Sequence, residues 1–107
     1  MERKTANKIY TIEELRERLA PIFSPAPVYK AILFGSYAKG VADGNSDVDI
    51  VIDSRGELIN INFFGVIAGA EDAIGKDIDM LELSQIQSDS PILSQIKSEG
   101  IILYERQ

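Results

Sequence analysis

The stretch "GSYAKGVADGNSDVDIVI", residues 35–52, sets a glycine-serine pair ten intervening residues ahead of Asp47 and Asp49. Aspartates at alternate positions of an extended segment point the same way. At about 4 Å two carboxylates repel by about 4 kcal/mol at an effective dielectric of 20, and by about 1 kcal/mol when water reaches both. A solvated surface tolerates that, so D-x-D by itself identifies nothing. The combination says more. Gly35 omits the side chain where a backbone must approach a polyphosphate, and Ser36 offers a hydroxyl and a main-chain N–H to phosphoryl oxygens. Carboxylates that point together suit magnesium, a hard cation that bridges to phosphates. Downstream, "GKDIDMLEL", residues 75–83, places Asp77 and Asp79 on one face of a second extended segment.

These residues need elements to hold them. "TIEELRERLAPIF" opens with Thr11 and, three residues on, Glu14, a capping-box pattern followed by Ile12, Leu15 and Leu19 at helical spacing, and predicts a helix over 12–20. "SPAPVYK", with Pro25 and Pro27, reads as a linker. "VYKAILF" predicts a buried strand over 28–34, turning at Gly35 and Ser36 into a short helix through about Val41 that "DGNSD" breaks. In "SDVDIVID", 46–53, Val48, Ile50 and Ile52 face a core while Asp47, Asp49, Val51 and Asp53 face the other way. "ELININFFGVIAGAEDAIG" predicts a largely buried helix ending at Gly75, with Gly65 and Gly69 allowing close approach to a sheet. A strand over 76–83 follows, then a helix from Pro91 to the cap at Gly100, then extended "IILYE". The fold class expected is α/β (α+β), a small β-sheet flanked by helices; that the sheet is mixed and the motif strands adjacent rests on the family resemblance given below.

Composition narrows the chemistry. With 107 residues the chain is expected to form one domain, and 45% hydrophobic against 26% charged residues is the balance of a globular protein. No cysteine and no histidine are present. Thiolate chemistry, cysteine-ligated metals and the usual neutral-pH base are thereby excluded, leaving carboxylates, hydroxyls, lysine, arginine or a hard cation. A net charge of −6 argues against a nucleic-acid surface, whose affinity comes from clustered lysine and arginine. "MERKTANKIY" lacks a signal-peptide core, and no apolar run nears the roughly 20 residues of a membrane span, so the expected address is the cytoplasm.

On "GSYAKG", the spacing to "SDVDIVI" and "GKDIDMLEL", the sequence resembles the DNA polymerase beta-like nucleotidyltransferase superfamily. Within it, the chain resembles the minimal nucleotidyltransferase (MNT) antitoxins that accompany HEPN toxins. The likeness spans about residues 28–104, and implies a single minimal nucleotidyltransferase domain over 1–107. It implies that Asp47 and Asp49 bind two Mg2+ ions and that Asp79 joins the catalytic ion and helps activate the attacking hydroxyl. Gly35 and Ser36 would hold the triphosphate of ATP. Lys39, where the family frequently carries arginine, would contact it without the guanidinium's fork. The implied partner is a HEPN toxin whose tyrosine hydroxyl receives AMP; the acidic balance disfavours nucleic acid, and no membrane partner is expected.

Other residues carry plainer expectations. Asp77 sits nearer the strand's start than Asp79, Asp43 reads as a turn residue, Asp53 as a solvated strand end and Arg55 as surface. Phe63 and Phe64 are core candidates, one of which could line the site. Tyr37 either covers the nucleotide or packs. A second reading belongs to a different class: a non-catalytic antitoxin that neutralises its toxin by covering it, which gives no reason to converge like charges. A stand-alone transferase acting on a small molecule or tRNA is disfavoured by the absence of an acceptor domain.

Overall fold

The computed structural model of the chain describes residues 8–106, so the reading of residues 1–7 lies outside the described part. In chain order the elements are helix α1 (Ile12–Phe23), strand β1 (Lys30–Phe34), helix α2 (Gly35–Lys39), strand β2 (Val48–Asp53), helix α3 (Asn60–Ile74), strand β3 (Ile78–Glu82), a 3-10 turn (Leu83–Gln85), helix α4 (Pro91–Glu99) and strand β4 (Ile101–Glu105). The four strands form one mixed sheet in the order β3-β2-β1-β4. β1 runs antiparallel to both β2 and β4, whereas β2 and β3 are parallel. A parallel pair cannot be joined by a tight turn, and α3 supplies the crossover.

The helix α1 begins as its capping box requires: the Glu14 N–H donates to Thr11 Oγ1 at 3.1 Å and the Thr11 N–H to Glu14 Oε1 at 2.8 Å. It does not stop at residue 20 but continues through Pro21 to Phe23. The proline removes a single N–H on the exposed side of the last turn, while the Ser24 N–H still reaches the Ala20 carbonyl at 2.9 Å. Burial of Phe23, which the extra turn carries into the core, offsets that loss. The first three strands come out two or three residues shorter than the ranges expected for them. β1, for example, starts at Lys30 because the Val28 N–H is taken by the Ala26 carbonyl in the preceding turn.

One face of the sheet carries Ala31, Leu33, Val48, Ile50, Ile52, Ile78 and Met80, closed over by Leu15, Leu19 and Phe23 of α1 and Ala70 and Ile74 of α3. The opposite face has a smaller apolar cluster of Phe34, Val51 and Ile96, with Ile32, Leu81 and Ile92 against it. Val51, which alternates with the aspartates, is thus fully buried, because α4 covers the half of that face beyond Asp49.

Helix α3 departs from expectation. Only Ala70 and Ile74 of it are buried, and Ile61 and Phe64 are 81% and 67% exposed. Phe63 packs on the core as expected, but Phe64 does not, since neighbours on a helix point about 100° apart and α3 touches the body along one side. Nor do the helix glycines meet the sheet. A Cβ on Gly69 would lie 3.5 Å from Ile22 of α1, in ordinary contact, and one on Gly65 would meet nothing.

Beyond β2 the chain is tied down by a buried polar pair that periodicity did not reveal. Glu82 Oε1 accepts from the Ser54 hydroxyl and, at 3.3 Å, from the Ser54 N–H; its Oε2 accepts from the Ser84 N–H at 3.2 Å. Ser54 Oγ in turn accepts from the Leu58 N–H at 3.1 Å. Removing the serine hydroxyl leaves a buried carboxylate short of a donor, a loss of about 1–3 kcal/mol. Ser54→Ala is expected to lower unfolding stability by that amount in urea titrations at neutral pH, with the denaturant slope unchanged.

Candidate active site

The site is built by strand register. In the antiparallel pair Phe34 lies opposite Asp49, and in the parallel pair Asp49 lies opposite Asp79, so a row crosses three strands from the end of β1 to the edge strand β3. Residues opposite one another in a sheet project from the same face. Asp47 precedes β2 by one residue, two positions from Asp49, and the three aspartates stand where α4 leaves that face uncovered. Asp47 and Asp79 are exposed, and Asp49, between them, is half-buried.

Gly35 closes the fourth side. Its φ of +73° is a conformation that L side chains rarely adopt, and a Cβ there would collide with Asp49 Oδ2 and stand 3.0 Å from its Cγ. Backbone conformation and space both demand glycine. The glycine-serine turn is therefore pressed against the central carboxylate. From it α2 runs to Lys39 and ends on Gly40 in the left-handed region. Phe34, at the helix N-cap, makes no side-chain cap hydrogen bond, and the Ser36 hydroxyl has no hydrogen-bond partner among the described residues.

The electrostatics of the row centre on Asp49. Burial pushes the Asp49 carboxyl above the usual carboxylate range, and the charges of Asp79 and then Asp47 push it further. Its two closest adversaries are thus the aspartates that the sequence singles out. As the side chains stand, no group of three His, Cys, Asp or Glu among the described residues is gathered tightly enough to hold a metal ion. The donor set nevertheless has the chemistry of a hard-cation site, with carboxylate oxygens only, on Cα positions fixed by register.

The remaining candidates separate. Lys39 is exposed in the last turn of α2 and forms no ion pair or hydrogen bond among the described residues. Tyr37 packs, its ring buried in the main core and its hydroxyl without a hydrogen-bond partner among the described residues, and burial pushes that hydroxyl up from its ordinary value. Asp43 is a turn residue, with Oδ1 accepting from the Asn45 N–H at 2.8 Å. Asp53 caps the turn after β2 by accepting from the Arg55 N–H at 3.0 Å, and Arg55 is exposed, its guanidinium 4.0 Å from the Tyr29 ring. Asp77 is half-buried, and its carbonyl accepts from the Val48 N–H at 3.2 Å.

Two supporting residues were missed in the sequence. Glu71 Oε2 accepts from the Ile78 N–H at 3.0 Å, fixing the backbone next to Asp79. Lys76 is only 6% exposed, and its ammonium donates to the Gly44 carbonyl at 2.8 Å. Neither lies on an apolar period. A lysine between a helix-capping glycine and a strand looks like any surface cation until its partner is seen.

The fold is that of a nucleotidyltransferase domain, as solved structures show. A chain of a crystallised toxin-antitoxin complex with AMP-PNP superposes with a TM-score of 0.67 at 26% identity, over 92% of this chain and 76% of that one. A chain from the complex of tri-AMPylated Shewanella oneidensis HEPN toxin with MNT antitoxin gives 0.64 at 22% identity, over 90% and 74% of the two chains, a likeness of fold. In sequence, a Methanocaldococcus jannaschii protein with the provisional name protein adenylyltransferase is 28% identical over 75 residues, 70% of this chain and 81% of that protein. The chain belongs to the Polymerase beta, Nucleotidyltransferase family, whose model matches residues 17–107.

The raised Asp49 carboxyl has a consequence for stability. The folded state holds that proton more tightly than the unfolded chain, so stability falls as pH climbs from the ordinary value of 3.8 through the raised one, and stays reduced at neutral pH. Asp49→Asn is therefore expected to melt at a higher temperature than the parent at neutral pH in chelating buffer. The gap should close as the buffer is taken down to about pH 4.

Proposed function

We propose that the chain is a magnesium-dependent nucleotidyltransferase that moves AMP from ATP to a tyrosine hydroxyl of a cognate HEPN-type toxin in the cytoplasm, and so acts as its antitoxin. The 107 residues act as one minimal nucleotidyltransferase domain. The observation that carries the reading is the Asp49–Asp79 register with the Gly35 backbone against Asp49. Family membership supports nucleotidyl transfer, and the adenylyltransferase name and the AMP-PNP-bound and AMPylated complexes of the relatives support the donor and the acceptor.

In this reading Gly35 and Ser36, with Lys39 alongside, hold the triphosphate. Asp47 and Asp49 hold two magnesium ions, and Asp79 completes the ligands of one of them. Bringing the three carboxylates onto shared cations requires them to draw closer together than they stand. Magnesium, when bound, neutralises the phosphoryl oxygens and stabilises the entering and leaving oxygens of an in-line displacement. The tyrosine oxygen bonds to the α-phosphorus, the bond to the bridging oxygen of the β-phosphate breaks, and pyrophosphate leaves. Asp79, on the edge strand and exposed, helps draw off the hydroxyl proton. The apolar residues left open on and beside α3, Ile59, Ile61 and Phe64, suit coverage by a protein partner better than by nucleic acid.

Those same open residues, and a carboxylate set that is not gathered in advance, favour one other reading, a non-catalytic antitoxin that works by coverage alone. One assay separates the two. The chain is incubated with labelled ATP, Mg2+ and a candidate cognate HEPN-type toxin, and label on the toxin is followed over time. Transfer is expected, falling roughly a thousandfold in Asp49→Asn and in Asp79→Asn, a rise of about 4 kcal/mol in the barrier. A toxin that is silenced with no label, equally by parent and variants, establishes coverage and overturns transfer.

A further inference from the structure

Lys76 is the one lysine or arginine side chain buried among the described residues. Taking an ammonium out of water costs several kcal/mol unless strong hydrogen bonds compensate, and a methionine of similar length would cover the same apolar surface without that cost. What the ammonium does here is specific. It donates to the carbonyl of Gly44, in the loop between α2 and β2. That loop is a compact turn in its own right: the Asp43 N–H donates to Ser46 Oγ at 2.9 Å, the Asn45 N–H to Asp43 Oδ1, and the Ser46 N–H to the Asp43 carbonyl at 3.1 Å. These bonds set the shape of the turn, but not where the turn sits relative to the sheet.

The next residue along the chain from Lys76 completes the grip. The Asp77 carbonyl accepts from the Val48 N–H at 3.2 Å, so two consecutive residues, Lys76 and Asp77, hold the backbone at Gly44 and at Val48. Asp47 lies between those anchors, and Asp79 follows two residues after the second. We infer that Lys76 is a positioning residue: its buried ammonium clamps the Asp43–Asp47 turn to the root of β3, and so fixes the distance between the Asp47 carboxylate and the carboxylates of Asp49 and Asp79. Cation binding at the site then depends on a side chain that touches neither cation nor nucleotide. This rests on the metal-binding reading of the three aspartates and goes beyond it.

The test reads metal affinity directly. Mn2+ alone is titrated into the full-length chain, with the free ion followed by electron paramagnetic resonance, and folding is checked by thermal melts. In Lys76→Met, which keeps the apolar stem and drops the donor, the fold is expected to persist. Mn2+ affinity should weaken by about 10-fold or more, as when a residue supporting a metal ligand is lost. Lys76→Arg, still a cation and a donor, should recover part of it, and Lys76→Gln stands in if the methionine variant does not fold. In a double variant with Asp47→Asn, the lysine substitution should add little, because the carboxylate it positions is already gone. Unchanged affinity in the lysine variants beside a clear loss in Asp47→Asn overturns the clamp and leaves the reading of the site standing. A parent chain that binds no Mn2+ overturns both.

Discussion

Parallel pairing of β2 with β3 forces Asp49 and Asp79 to stand side by side, and the rest of the site follows from that constraint. Neither carboxylate can retreat along its strand without moving its neighbours to the wrong face, because the side-chain period of a strand is two. Asp47 adds a third charge on the same side. The repulsion is carried by a backbone whose opposite face is filled with Val48, Ile50, Ile52, Ile78 and Met80. Hydrophobic burial on one side of the strands thus holds like charges together on the other, and Asp49 is pushed above the usual carboxylate range by its own burial first and by the charges of Asp79 and Asp47 after it.

The same logic explains the turn at Gly35. β1 ends beside Asp49, and any side chain at the next position would have to occupy the space of the carboxylate. Glycine lets the chain double back into α2 at that point, which lays backbone next to the acidic row instead of a side chain. Proximity of backbone to carboxylates is what an anionic ligand bridged through a cation requires. A 107-residue chain achieves this with a single four-stranded sheet and few accessory elements.

Much of this was legible in the sequence, for physical reasons that differ by residue. Alternation in "SDVDIVID" places the aspartates on one face, and the apolar runs bounded by glycine and proline give the strands. Strand order and the pairing of Asp49 with Asp79 were not legible from spacing, because register is set by tertiary packing and a crossover helix. The apolar density of α3 misled as to its burial, since density does not say how many sides of a helix find a neighbour. Phe64 illustrates it: one position from Phe63, it points away from the core. Pro21 misled in the other direction, because a proline in a final turn removes only one hydrogen bond and burial of Phe23 outweighs it. Lys76, Glu71 and the Ser54–Glu82 pair left no periodic trace, as each gains its role from a partner distant in sequence or across a turn.

The uneven cover on the acidic face has a mechanical consequence. Around Val51 strand β2 is gripped by apolar side chains above and below, whereas at Asp49 the apolar packing lies below and the Gly35 turn stands against the carboxylate above. It resembles a beam built into a wall at one end, with its working tip reaching into water. Such a beam bends little over so short a span, so the adjustments needed to seat a ligand fall on the rotation of short carboxylate arms. Stiff mounting with pliant fingertips keeps the carboxylates in register on a single small sheet.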